Sequence, residues 1–104
     1  MKRDTMKTAF IVLKSPQDQD PTHMIRTFSS KEDSSVILVE DGVLQALSST
    51  ASERIEKSAS EVLVSKEDLE AKGFSQSDLK IGKAIGYPEI VDCIMERTER
   101  TIAV

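Results

Sequence analysis

The stretch Val36-Ile37-Leu38-Val39-Glu40-Asp41-Gly42-Val43 decides the fold. Its first half is apolar without alternation, so both faces of the segment need cover, as in a strand inside a parallel sheet. Ser34 and Ser35 bound it on one side and Glu40-Asp41-Gly42 on the other, which predicts a buried strand followed directly by a turn.

Working outward, the same signature recurs twice. Thr8 to Leu13 is continuously apolar and β-branched, and Val62-Leu63-Val64 is a third short run. Between the first two, Ser15-Pro16 and Asp20-Pro21 disfavour helix before each proline, while Pro21 suits a first helical position capped by Asp20. A helix over 21–28 is expected, with Met24, Ile25 and Phe28 turned to the sheet. After the second run, Val43, Leu44 and Leu47 give a brief apolar face, and 51–58 reads as polar and weakly helical. After the third, Ser65 is an N-cap with Glu67 and Asp68 in the first turn, and Gly73 is the stop.

Beyond Gly73 the chain repeats the alternation. Ser75 and Ser77 open a brief turn, and 80–86, with Ile81, Ala84 and Ile85, predicts a fourth strand. Tyr87-Pro88-Glu89 opens a last helix whose inward stripe is expected to be Ile90, Val91, Ile94 and Met95, with Cys93 near its edge. Thr101 to Val104 is a candidate edge strand or interface segment.

Apolar strands alternating with amphipathic helices predict an α/β fold: a small three-layer domain, a mainly parallel sheet of four to five strands, helices on both faces. The chain has 104 residues, near the usual size of one domain. The expected organisation is a flexible N-terminus over 1–7 and a single α/β domain over 8–104.

Composition narrows the function classes. Apolar residues make up 38%, charged residues 31% and aromatics 4%, so the core rests on aliphatic side chains under a heavily charged surface. A net charge of −4 opposes phosphate backbones, which argues against direct nucleic-acid binding. The one cysteine forbids an internal disulfide and agrees with a reducing cytoplasm. The apolar run behind the basic start is too short for a signal-peptide core or a membrane span, so neither secretion nor a membrane is expected.

Few residues offer chemistry. The turn Asp41-Gly42-Val43 would lie at the carboxyl end of a parallel strand, where open α/β sheets place ligands and contacts. Gly42 there allows a positive φ or a close backbone approach, and Asp41 is placed to cap the next helix. Cys93 lies within the last helix beside Asp92 and a turn before Arg97, and reads as a packed thiol; a sulfur-carrying role would need exposure and a lowered pKa. His23 has no second histidine or cysteine at ligand spacing, so no metal is expected. No Ser-His-Asp order, phosphate loop or dinucleotide glycine pattern occurs, so no cofactor is expected either. The charged runs 66–70 and 96–100 read as solvated helix faces.

The order of three segments adds a resemblance. Ile37 to Val43, then Val62-Leu63-Val64 with Asp68-Leu69-Glu70-Ala71-Lys72-Gly73-Phe74, then Ile85-Gly86-Tyr87-Pro88-Glu89-Ile90-Val91-Asp92, together resemble the DsrH/TusB family of sulfur-relay subunits. That family shows an apolar strand ending in an acidic or amide residue plus Gly-Val, a helix end of the DLxARG kind, and a strand leading into a Tyr-containing helix start. Here these match Asp41-Gly42-Val43, Asp68 to Gly73, and Tyr87 to Asp92.

The resemblance implies an accessory subunit working with DsrE/TusD-like and DsrF/TusC-like partners, in thiolation of the tRNA wobble uridine or in sulfur oxidation, with tRNA contacted at most indirectly. The persulfide-carrying cysteine belongs chiefly to the DsrE/TusD-like subunit, and some DsrH members have a cysteine in the first helical region. This sequence has none there, and the role does not pass to Cys93. Asp41, Gly42, Val43 and Tyr87 are the expected interface residues, and a homo-oligomer or a persulfide carrier using Cys93 are the competing readings.

Overall fold

The computed structural model describes residues 7–104; most of the expected N-terminal segment lies outside the described residues. Strands β1 (Thr8–Val12), β2 (Ser34–Leu38), β3 (Glu61–Ser65), β4 (Lys83–Ile85) and β5 (Arg100–Ala103) form one sheet. Their order is β4-β3-β2-β1-β5 and every pairing is parallel, in register from Phe10 beside Val36 and Ile102 to Val36 beside Val62. The helices are α1 (Thr22–Phe28), α2 (Ser49–Ser58), α3 (Lys66–Ala71) and α4 (Tyr87–Arg97), joined by short 3₁₀ helices at Lys31–Asp33, Glu40–Ala46 and Gln76–Asp78.

Strand order dictates the layers. From β1 to β4 the chain steps in one direction, and right-handed crossovers then put every intervening helix on one face. The return from β4 to β5 runs the opposite way and puts α4 on the other face. The two cores follow: Phe10, Val12, Val36, Leu38 and Val64 pack against Ile25 of α1, Ile55 of α2 and Leu69 of α3. Ala9, Ile37, Leu63 and Ile85, pointing the other way on the same strands, pack against Ile90 and Cys93 of α4.

Local signals account for the helix ends. Asp20 accepts the N–H of Thr22 at 3.0 Å, and Ser65 accepts that of Asp68 at 3.2 Å. Gly73, at φ +88°, ends the turn after α3. The weakly helical segment is a ten-residue helix, α2, capped by Ser48 and held by buried Ala51 and Ile55.

Several expectations need correction. The fourth strand is only Lys83–Ile85, and Ile81 lies before it, packed on the α1–α3 side. In α1 only Ile25 of the expected stripe is buried, whereas Met24 and Phe28 are exposed, because a helix this short offers the sheet a narrow face. In α4 the buried stripe is Ile90 and Cys93, with Val91 and Met95 exposed. The helix is rotated from the expected orientation, and Cys93 sits in the buried face rather than at its margin.

Candidate functional site at the carboxyl end of the sheet

The segment after β2 is not a simple turn. Glu40 opens a 3₁₀ helix through Ala46, and the positive φ falls on Glu40, at 51°, not on Gly42. Gly42 is required for closeness instead: a Cβ there would lie 2.0 Å from the carbonyl oxygen of Val12. Asp41 does not cap a helix; its carboxylate reaches Lys72 Nζ at 2.6 Å, tying the segment after β2 to the end of α3. Val43 is fully buried among the core residues, so it supports this end of the sheet from below and offers a partner no surface.

The left-handed conformation at Glu40 is one that L residues adopt at a cost, and it persists where surroundings hold it. The holding group is Asp68, whose Oδ2 accepts the Glu40 N–H at 2.7 Å. Its Oδ1 accepts the Tyr87 hydroxyl at 2.5 Å. Next to it, Glu67 accepts the Tyr87 N–H at 3.2 Å. The carboxyl ends of β2, β3 and β4 are thus joined through one carboxylate.

Electrostatics follow from this geometry. Burial pushes the Asp68 carboxyl up, but the Glu40 N–H, the Tyr87 and Ser65 hydroxyls and the Lys72 ammonium together hold it below the usual carboxylate range. Tyr87 moves the other way: its hydrogen bond to Asp68 and the nearby acids raise the phenol above an ordinary tyrosine.

Cys93 belongs to the opposite end. It lines a cleft between α4 and the amino ends of β3 and β4, with Glu61, Lys83, Asp92 and Arg97. Arg97 pairs there with Glu61. Burial pushes the Cys93 thiol up, and the Arg97 guanidinium offsets this only in part. Among the described residues, no group of three or more His, Cys, Asp and Glu side chains is placed to hold a metal, and no helix is long and apolar enough to cross a membrane.

The structure therefore joins Tyr87 to the segment of Asp41, Gly42 and Val43, and leaves Cys93 apart. The connecting residue, Asp68, was read from sequence as a helix-dipole partner. Its position three residues after the Ser65 cap was the available signal, and nothing in its spacing pointed to Glu40 or Tyr87.

The features so far define a class: a small five-stranded all-parallel α/β protein with a polar network at the carboxyl end of its sheet and its one thiol packed beneath a helix. A family model described as DsrH like protein matches residues 14–100. The chain belongs to the DsrH family. Among solved structures, it is similar to the solution structure of protein Tm0979 from Thermotoga maritima, with 28% sequence identity and a TM-score of 0.61, over 84% of this chain and 91% of that one. No curated protein matches the chain.

Proposed function

We propose that this chain is an accessory subunit of a sulfur-relay complex, contributing structure and contacts while another subunit carries the sulfur. The observation that carries the reading is the state of its one thiol. A persulfide carrier needs an accessible thiolate, whereas Cys93 is buried and its pKa is raised. A family member built in this way serves the relay through its surface.

Asp41 and Tyr87 then act at the carboxyl end of the sheet as a contact region, with buried Gly42 and Val43 beneath it. Asp41 and Tyr87 are exposed side chains anchored by Lys72 and Asp68. Anchoring lowers the cost of ordering them on association. The expected partners are DsrE/TusD-like and DsrF/TusC-like subunits, in the cytoplasm, serving tRNA wobble-uridine thiolation or sulfur oxidation.

The test is affinity capture of the tagged chain from its native cell extract, with mass spectrometry and persulfide labelling of what co-purifies. A co-purifying DsrE-like protein that labels on its own cysteine, with Cys93 unlabelled, is the expected result. Persulfide on Cys93, and loss of sulfur transfer in Cys93→Ser, would overturn the reading in favour of a carrier.

A further inference from the structure

The cleft that Cys93 lines holds charges of both signs that do not meet. Its volume is about 270 Å³, and its floor is Leu63 and Ile85 of the strands with Cys93 of the helix, all buried. Successive residues of a strand point to opposite faces, so Lys83 rises on the same face as Ile85, while Ala84 between them packs on the α1–α3 side. Lys83 therefore forms the wall along the β4 edge. Glu89, Asp92 and Glu96 form the opposite wall, on α4.

Some of these charges are already committed. Glu61 pairs with Arg97 and accepts the Ser35 hydroxyl at 3.0 Å, and Glu89 accepts the Gly86 N–H at 3.3 Å. Lys83, Asp92 and Glu96 are not: among the described residues, none of the three enters an ion pair within 4.0 Å or a side-chain hydrogen bond. Asp92 and Glu96 stand one turn apart on the same helix, where like charges repel. The cation that would relieve them, Lys83, stands across the apolar floor beyond pairing distance.

We propose that this cleft binds a small zwitterion, an α-amino acid with an aliphatic side chain. Its ammonium sits between Asp92 and Glu96, its carboxylate meets Lys83, and its side chain lies on Leu63 and Ile85. Both unmade ion pairs then form at once, and the apolar floor leaves water. Size agrees, because the cleft falls just under the about 300–1,000 Å³ of sites for drug-sized molecules. Charge selects as well: a purely anionic ligand meets Asp92 and Glu96, and a purely cationic one meets Lys83, so each pays a repulsion that the zwitterion avoids. The proposal does not draw on the sulfur-relay reading, since it concerns the purified chain with no partner present.

The test is a titration of the full ¹⁵N-labelled chain with L-leucine at fixed ionic strength, followed by amide chemical shifts. Saturable shifts centred on Lys83, Asp92, Cys93 and Glu96 are expected. Leucine methyl ester, which keeps only the ammonium, and N-acetylleucine, which keeps only the carboxylate, should each bind about fivefold more weakly, the upper scale for one exposed ion pair. Lys83→Met should weaken leucine without weakening the ester, and the double variant Asp92→Asn, Glu96→Gln should weaken leucine without weakening N-acetylleucine. The ligand series on the unaltered chain decides the matter even if a variant fails to fold. No saturable shift up to the solubility limit of leucine overturns the proposal, as do shifts centred elsewhere. An ester that binds as tightly as leucine also overturns it, in favour of a site for organic cations.

Discussion

Tyr87 and Asp68, nineteen residues apart in sequence, meet through a 2.5 Å hydrogen bond at the carboxyl end of the sheet. The same carboxylate holds the left-handed Glu40 by its N–H. One acid therefore fixes both the helix start that follows β4 and the exit from β2.

The first prediction concerns the phenol. Ionising Tyr87 removes its donated proton and sets a phenolate beside Asp68, so it should titrate above an ordinary tyrosine. Asp68→Asn should move the midpoint back down toward about 10, the free value. The chain has one tyrosine and no tryptophan, so ultraviolet absorbance during a pH titration reads this group alone. A midpoint indifferent to the substitution would show that the hydrogen bond does not form in solution.

The thiol gives the second. With its pKa raised by burial, Cys93 should react with a disulfide reagent far more slowly in the native chain than in guanidinium, where all of it reacts at the free-cysteine rate. Cys93→Ala should still fold, at a cost on the order of 1 kcal/mol, the scale for losing about one buried methylene-sized group. Denaturant melts of the two proteins measure the difference.

Much of the fold was legible because strands buried on both faces write themselves as unbroken apolar runs, as at Phe10 to Val12 and Val36 to Leu38. Helix ends were legible where one residue does local work, as Ser65 and Gly73 do. The rotation of α4 was not. Ile90, Val91, Ile94 and Met95 make as good a helical stripe as Ile90, Cys93 and Ile94, and only the path of α4 across the sheet selects between them. The candidate site was half legible: Gly42 and Tyr87 carry visible turn and helix-start signals, whereas the cap read at Asp41 is an ion pair with Lys72 and Asp68 gains its role from contacts at long sequence separation.

Two glycines provide the third prediction, because they resist substitution for different reasons. At Gly42 an added Cβ would meet the Val12 carbonyl, so Gly42→Ala must push β1 and the 3₁₀ segment apart. A cost of about 2 kcal/mol or more is expected for overpacking against backbone. At Gly73 there is open space but φ is +88°, so Gly73→Ala should cost only about 1 kcal/mol through left-handed strain. Chemical denaturation should rank Gly42→Ala as the more damaging; the reverse order would mean the segment after β2 sits farther from Val12.

Acid should destabilise the fold through a small set of carboxylates. In Asp68, burial is outweighed by the Glu40 N–H and the Tyr87 hydroxyl; in Asp20, by the Thr22 hydroxyl and N–H with Arg54; in Glu61, by Arg97 and Ser35. All three therefore lie lower in the folded chain than in the unfolded one. Across the interval between those values the unfolded state binds more protons, so stability falls as pH falls. The contribution is fully present above the unfolded values near about 4 and is lost as pH drops through the folded ones. Thermal melts taken from about pH 7 down to about pH 3 should show a midpoint that is level at first and then declines. Asp68→Asn should be less stable at neutral pH and decline less steeply in acid, since one of the three linked protons is gone. An equal slope in the variant would assign the acid sensitivity to Asp20 and Glu61 and remove Asp68 from the set that holds this end of the sheet.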